Sequence, residues 1–274
     1  MGAPSEARSG RTPCLSDEQT VVVAGLRLFR ADLHVHTALS PCGSEEMTPP
    51  SIVAAALARR LDMVAICDHN AAGNVGAVQE AARAADGPLV VLAGMEITTA
   101  EEVHVVGLFP SLGAAEAVAA SIRTMLSSAD ADYYAFFGEQ WLLAADGHQT
   151  GAETVALALA TPLSLSAAVD LIHRSGGLAV AAHLDRRLFS VFSQLGVFPR
   201  DAGFDGVEVS SHTRSDSPRL PEFRALDLPI TSSSDSHFLE QIGTTVTDLW
   251  VEEPTFAELA MAFAGVGGRS VARA

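Results

Sequence analysis

Short apolar runs alternate with helix-forming segments along most of the chain, and glycine, proline or small polar residues separate them. Alternation of this kind is typical of a parallel sheet or barrel, so the sequence predicts an α/β fold. We predict strands over residues 63–67, 89–93, 103–108, 178–182, 204–210, 229–231 and 246–251, and helices over 52–61, 74–85, 112–127, 166–174, 188–195 and 255–263.

Two stretches are less regular. A strand from residue 21, with a hairpin around Gly25, is predicted to lead into the first motif, and residues 130–165 read as a possible insertion. Within that insertion we predict a hairpin that turns at Asp146 and Gly147, and a helix over 154–160.

The length and composition fit one domain. With 274 residues, of which 48% are hydrophobic, the chain can bury a large core, and an α/β barrel of this length needs no second domain. Residues 1–20 lack the apolar core of a secretory signal, so we expect a flexible tail there and a single domain over 21–274.

The charge of the chain limits its partners. A formal net charge of −16 argues against long nucleic acid and against an anionic membrane surface, because Lys and Arg supply most contacts to phosphate groups. No apolar run reaches the roughly 18–20 residues that a membrane span needs. Cys14, Cys42 and Cys67 show no paired spacing, which indicates a reduced, cytoplasmic protein; the sequence leaves the oligomeric state open.

The segment Ala-Asp-Leu-His-Val-His-Thr, residues 31–37, ends an apolar run with two histidines one residue apart. Side chains two residues apart on a strand point to the same face, so His34 and His36 can both reach one metal ion. An isolated pair of this kind is more often two polar side chains on an exposed face. Its interpretation therefore depends on other candidate ligands.

Such ligands follow apolar runs further along the chain. They are His69, Glu96, His104, His183, Asp235 and His237. In β/α barrels the catalytic groups gather at the C-terminal ends of the strands, and all of these residues except His104 take that place. His104 lies near the start of its predicted strand. The agreement of several separate placements favours one shared site.

The residue types indicate the metal. Imidazoles and carboxylates without thiolate pairs suit Zn, Mn or Fe, and a carboxylate such as Glu96 can bridge two ions. Six or more candidate ligands exceed what one tetrahedral ion uses, so we predict two or three divalent ions. Two ions roughly 3.5–4 Å apart activate water and hold a phosphoryl oxygen.

The sequence resembles the polymerase and histidinol phosphatase (PHP) family over most of residues 30–250. The resemblance implies a distorted (β/α)7 barrel with a dinuclear or trinuclear metal centre. It also implies that His34, His36, Glu96 and Asp235 hold one ion, that Glu96, His104 and His183 hold a second, and that His69 and His237 hold a third. It rests on residues 32–37, Asp68-His69-Asn70, Glu96, His104, His183 and Ser234-Asp235-Ser236-His237, in the order of the family.

The third ion is where the chain departs from the family. The family supplies a further Asp or His five or six residues after the second histidine, and here those positions hold Pro41 and Cys42. Proline cannot ligate, so Cys42 and Glu46 are the alternatives, and a dinuclear site without either remains open.

Other residues are given supporting roles. Asp32 and Asp68 are expected to orient ligating imidazoles. Arg186 is expected either to clamp a phosphate, as a catalytic residue beside Glu96 and Asp235, or to form a surface salt bridge. His212 and Arg214 are placed at the barrel rim.

Three functions are compatible with these features. The first is hydrolysis of a small phosphomonoester or nucleotide through a metal-activated hydroxide. The second is a nuclease that acts on phosphodiesters of short oligonucleotides. The third is a non-catalytic metal-binding accessory module, against which the full set of ligand positions argues.

Overall fold

The structure is a computed structural model that describes residues 1–2, 25–211, 213 and 217–272. The predicted tail over 1–20, the strand residues 21–24, His212 and Arg214 lie outside this part. The strands are β1 (Arg27–Val35), β2 (Met63–Ile66), β3 (Val90–Thr98), β4 (His104–Phe109), β5 (Trp141–Leu143), β6 (Gln149–Ala152), β7 (Leu178–Ala181), β8 (Gly206–Val209), β9 (Ile230–Ser232), β10 (Thr247–Val251) and β11 (Ser270–Val271). The helices are α1 (Pro49–Ala58), α2 (Val75–Ala84), α3 (Leu112–Arg123), α4 (Ala131–Phe137), α5 (Leu165–Arg174), α6 (Val191–Leu195), α7 (Leu220–Arg224) and α8 (Phe256–Phe263).

Nine of these strands form one sheet in the order β11-β10-β1-β2-β3-β4-β7-β8-β9. The pairs β1–β2, β2–β3, β7–β8 and β8–β9 are parallel. However, β4 is antiparallel to both β3 and β7, and β10 is antiparallel to β1. The prediction of an α/β barrel is confirmed, but the expectation of parallel strands was wrong at β4 and β10.

The sheet closes into a barrel through the residues after β9. Ser236 forms a parallel bridge with Val35 at the end of β1, where the His36 amide donates to the Ser236 carbonyl at 3.0 Å. The Ser236 amide donates in turn to the His34 carbonyl at 3.3 Å. These contacts bring the two ends of the sheet together at the same end of the barrel as the C-termini of β1, β2 and β3.

Two apolar layers hold the barrel. The inner layer includes Phe29, Leu33, Leu108 and Leu249 and is completed by Leu259 and Phe263 of α8. The outer layer joins the outward-facing strand residues to the helices α1, α2, α3 and α5. Burial of this kind contributes about 25 cal/mol per Å² of apolar surface, so the barrel is a rigid support for the polar groups at its end.

The segment between α3 and α5 forms α4 and the hairpin β5–β6, which turns at residues 144–148 as predicted. The predicted helix over 154–160 is wrong. The backbone of this segment instead bonds to distant side chains. The side-chain amide of Asn70 donates to the carbonyls of Leu157 and Leu159. The side chain of Gln140 donates to the Val155 carbonyl and accepts from the Leu157 backbone amide. Long-range side-chain contacts replace the local bonds of a helix here.

Among the described residues, every helix is too short or too polar to cross a lipid bilayer.

Candidate metal centre

The predicted ligands meet at the end of the barrel where β1 to β3 finish. Their donor atoms form three groups, each within 4.8 Å: His34, His36, Glu96 and Asp235; His69, Glu96 and His104; and His36, His69 and His237. His183 also reaches Glu96, with its Nε2 3.2 Å from Oε1. His104 joins the others because β4 runs antiparallel, so the start of β4 lies at the same end as the C-termini of its neighbours.

Glu96 lies at the centre, and its two oxygens face different imidazoles. Oε1 is 2.7 Å from Nδ1 of His104 and 3.2 Å from Nε2 of His183. Oε2 is 3.1 Å from Nδ1 of His69, 3.4 Å from Nε2 of His36 and 3.5 Å from Nε2 of His34. This arrangement suits a carboxylate that bridges two ions through its two oxygens.

The hydrogen bonds at the back of the imidazoles fix their tautomers. The Nδ1–H of His34 donates to Oε1 of Glu208 at 3.1 Å. Ser40 donates its hydroxyl to Asp68, so its Oγ accepts from the Nδ1–H of His36 at 2.9 Å. The Nε2 atoms of His34 and His36 therefore both carry lone pairs, although they lie only 3.2 Å apart.

Two lone pairs at this distance repel each other unless a proton or a metal ion lies between them, and the carboxylates of Glu96 and Asp235 face the same point. The buried Nδ1 atoms of His69 and His104 have the Glu96 carboxylate as their neighbour and form no well-directed hydrogen bond. Buried polar atoms of a folded protein are normally paired. The donor set and its unpaired atoms thus fit divalent metal ions, with N and O ligands in the range that Zn, Mn and Fe accept.

The electrostatics agree with this fit. Burial lowers the pKa of His34, yet the carboxylates of Glu208, Glu96 and Asp235 outweigh it and raise that pKa well above its usual value. Burial raises the pKa of Glu96, but the imidazoles of His104, His34 and His69 hold it well below the usual range. The centre therefore stabilises positive charge next to ionised carboxylates.

Glu208 was not singled out from the sequence. It is buried at the end of β8, and its carboxylate accepts from the His34 ring and, at 3.3 Å, from the backbone amide of His183. Glu208 therefore holds two candidate ligands in place: His34, which belongs to the first ligand group, and His183, which faces Oε1 of Glu96. Its Val-Glu-Val context reads as an ordinary alternating strand, so no local signal reveals a partner 174 residues away.

Asp68 and Asp32 differ from the expectation that they orient imidazoles directly. Asp68 accepts from Thr37 and Ser40, and it reaches His36 only through the Ser40 hydroxyl. Asp32 accepts from the amide and hydroxyl of Ser234 and from the amide of Gly243, so it fixes the loop that carries Asp235.

The structure distinguishes between Cys42 and Glu46, the two candidates for the further ligand of the third ion. The His69 and His237 side chains hydrogen-bond the Cys42 thiol, which lies at the exposed mouth of the third group. Burial raises the pKa of this thiol, but His69 and His237 outweigh it and lower the pKa to about 6. The Glu46 side chain is exposed and its backbone amide bonds Ser44. The geometry favours Cys42 as the candidate ligand.

Arg186 contacts a ligand carboxylate. Its Nη1 lies 2.5 Å from Oδ2 of Asp235, while Oδ1 of Asp235 faces Nε2 of His36 at 3.0 Å. The guanidinium is half-exposed, at the solvent side of the centre. His148 lies away from the centre, on an exposed turn beside Asp146.

The backbone is strained at the centre. His183 and Asp235 have positive φ angles of 30° and 50°, and Asn70, next to His69, has 51°. Such angles cost of order 1 kcal/mol or more in residues other than glycine and persist where surrounding contacts hold them. Here Glu208 holds the His183 amide, and Asp32 holds the amide that precedes Asp235.

Sequence comparison identifies the type of domain. A model of the PHP domain matches residues 32–198, and a model described as PHP-associated matches residues 223–264. No curated protein matches the chain.

Solved structures share the fold. The lesion-specific endonuclease PfuEndoQ from Pyrococcus furiosus superposes with a TM-score of 0.67 at 18% identity, over 89% of this chain and 58% of that one. Endonuclease Q in complex with a 27-mer duplex that contains an abasic lesion gives 0.66 at 17% identity, over 89% and 58%. A protein from Bifidobacterium adolescentis, inferred to be a metal-dependent phosphoesterase, gives 0.51 at 24%, over 76% and 87%. The chain thus spans little more than half the length of the endonucleases.

Proposed function

The chain belongs to the PHP family, and from that membership we propose that it is a metal-dependent phosphoesterase whose substrate is a small phosphomonoester or a nucleotide. The observation that carries the proposal is Glu96, a buried carboxylate whose two oxygens face separate groups of imidazoles. A carboxylate in this position is suited to bridge two ions, and paired ions are typical of phosphoester hydrolysis.

The ligand groups support a proposal for three ion sites. His34, His36, Glu96 and Asp235 would hold the first, Glu96, His104 and His183 the second, and His69 and His237 with Cys42 a third. When bound, the ions supply Lewis acidity that polarises a phosphoryl oxygen and lowers the pKa of water. Zn, Mn and Fe all suit this donor set.

The residues of the chain orient and isolate the reaction. Glu208 and the Ser40–Asp68 pair keep the Nε2 lone pairs of His34 and His36 directed inwards. These rings are fully buried, and charges interact more strongly where water is excluded. Arg186, at the solvent side, can exchange its contact with Asp235 for a phosphate, which its planar guanidinium binds through two hydrogen bonds.

A nuclease is the second candidate, because the structures that share the fold include endonuclease Q with a lesion-containing duplex. The net charge of −16 favours a short oligonucleotide, of which only the terminal nucleotides enter the site, over a long duplex.

One experiment separates the candidates. The purified protein, loaded with Mn or Zn, is assayed on a panel of phosphomonoesters and on short oligonucleotides. Release of free phosphate supports the phosphomonoesterase, and release of nucleotides from an oligomer supports the nuclease. A fully metal-loaded protein that hydrolyses neither would contradict both and leave the non-catalytic module.

A further inference from the structure

The loop after β1 ties Cys42 to two histidines of the third group. The Ser44 amide donates to the His237 carbonyl at 2.8 Å, and the Ser40 hydroxyl oxygen accepts from the His69 amide at 3.1 Å. Cys42 lies between these two anchor points in the chain, and its thiol hydrogen-bonds both histidine side chains. The backbone and the thiol of the loop therefore contact the same two residues.

The conformation of this loop is closely defined. The Gly43 amide closes a turn on the Ser40 carbonyl at 2.8 Å. A Cβ atom at position 43 would lie 2.8 Å from a backbone oxygen of the same loop, so the turn needs glycine there. The Trp141 amide of β5 donates to the Ala38 carbonyl at 2.9 Å and supports the loop from outside. These contacts hold Cys42 in position beside the histidines.

The donors of the third group differ from those of the other two. The first group includes the carboxylates of Glu96 and Asp235, and the second takes its oxygen from Glu96. The third group holds imidazole nitrogen atoms only, namely those of His36, His69 and His237. The Cys42 thiol is the additional donor in contact with that group, so it would add sulfur where the other groups have oxygen.

Sulfur is confined to one side of the centre. The other thiol in the described part of the chain, that of Cys67, contacts the Leu33 carbonyl at 3.5 Å inside the barrel and belongs to none of the three groups. The resemblance to the family implies an Asp or His in the place of Cys42, which would leave the three groups alike. The thiol therefore sets the third group of this chain apart.

A thiolate changes the preference of a site among metal ions. Nitrogen and oxygen sites already bind Zn²⁺ more tightly than Mn²⁺, and a soft thiolate ligand adds to that difference, whereas carboxylate oxygen suits Mn²⁺. A centre with sulfur at one site and oxygen at the others is thus expected to sort these two ions when both are present.

Resting on the proposed phosphoesterase function, which leaves the identity of each ion open, we propose that the third site is a thiolate site that selects Zn²⁺ over Mn²⁺, and that Cys42 determines this selection. The site formed by His69, His237 and Cys42 then takes Zn²⁺ at a lower concentration than the two sites that share Glu96. At limiting zinc the centre holds both metals, with Zn²⁺ on the side of the thiol.

Limiting zinc tests the selection. The protein is equilibrated with excess Mn²⁺, Zn²⁺ is added in steps from a chelator buffer, and elemental analysis measures both metals per chain. We expect the first equivalent of Zn²⁺ to bind before any other. Cys42→Ser should weaken the binding of this equivalent by at least roughly 10–100-fold, which is the loss caused by removing even an outer partner of a ligand. Cys42→Asp should bind a third ion without the preference for Zn²⁺.

Cobalt reports the bond to sulfur without any turnover. A Co²⁺–thiolate bond absorbs in the near ultraviolet through charge transfer from sulfur, and Co²⁺ held only by nitrogen and oxygen does not. We expect this absorption in the Co-loaded wild type and its absence in Cys42→Ser and Cys42→Asp. Cys67→Ala is the matched control, because it removes the thiol that lies outside the three groups. It should keep both the absorption and the selective uptake of Zn²⁺.

Equal uptake of Zn²⁺ by the wild type and Cys42→Ser, with no sulfur absorption in the Co-loaded wild type, would overturn the thiolate site. Hydrolysis of phosphoesters by the same Mn-loaded protein would leave the phosphoesterase function intact in that case. Selective uptake of Zn²⁺ with the sulfur absorption, but without hydrolysis of any phosphoester, would keep the thiolate site and overturn the phosphoesterase function.

Discussion

The two oxygens of Glu96 are the points at which the imidazole groups of the centre meet. Replacing this carboxylate by an amide keeps its shape but removes the charge that suits it to two cations. We therefore expect Glu96→Gln to reduce phosphoester hydrolysis on the order of a thousandfold, which is the effect of several kcal/mol of transition-state stabilisation. Steady-state kinetics on any accepted substrate measure this.

Thermal unfolding shows whether the Glu96→Gln protein is folded, and elemental analysis measures its metal content. His148→Ala, on an exposed turn away from the centre, should retain full activity. A folded Glu96→Gln protein with full metal content and near-normal turnover would refute the bridging role.

Cys42 and Glu46 differ in their surroundings, and a pair of variants tests which of the two is a metal ligand. Because the Cys42 thiol bonds the His69 and His237 side chains, Cys42→Ser should lower the metal content and the activity together. Glu46→Gln should change neither, since that side chain is exposed. The reverse pattern would assign the ligand to Glu46, and two variants like the wild type would indicate a dinuclear site.

Glu208 holds the His34 ring and the His183 amide at once. Glu208→Leu leaves both donors buried without a partner, so we expect metal affinity to fall 10–100-fold and the free energy of unfolding to fall by about 1–3 kcal/mol. Glu208→Gln retains an acceptor oxygen, so its metal affinity and its free energy of unfolding should fall less.

Competition with a chelator measures the affinity in these variants, and Glu253→Gln, an exposed acidic residue, serves as the control. Unchanged affinity in Glu208→Leu would show that the contacts at the back of His34 and His183 do not influence metal binding.

At the scale of elements, the sequence predicted most strands and helices of the barrel and the positions of the ligands at the strand ends. These features depend on local patterns, namely apolar runs and two-residue spacing. His104 did not fit because the direction of β4 depends on its pairing with β3 and β7, which no local pattern encodes. Glu208 was missed for the same reason, since its partners come from other strands.

The segment over 154–160 shows how distant side chains override helix propensity. Gln140 is fully buried, accepts from the Tyr133 hydroxyl and the Leu157 amide, and donates to the carbonyls of Glu153 and Val155. Gln140→Ala should therefore lower the free energy of unfolding by about 2 kcal/mol or more, because buried polar groups lose their partners. Hydrogen exchange should increase over residues 153–160.

Gln149→Ala is the control for this substitution, because Gln149 is exposed and makes one long contact to the Gly151 carbonyl. Equal stability of the two variants would show that Gln140 does not organise the segment.

For the whole molecule, the ligand groups predict at least two transition-metal ions per chain, which elemental analysis of protein purified without chelators measures. Bound ions stabilise the folded state by about 2.7 kcal/mol per site at a concentration one hundred times the dissociation constant. A chelator should therefore lower Tm by several degrees. One ion or fewer per chain after reloading, with no change in Tm, would contradict a multinuclear centre.

The seam between β1 and the residues after β9 is held by backbone bonds at Ser236, and the first ligand group lies across it. His34 and His36 belong to one side and Asp235 to the other, 199 positions from His36. Opening of the seam would separate Asp235 from the two histidines, so an ion held by all three would join the two ends of the sheet and add its binding free energy to the stability of the closed barrel.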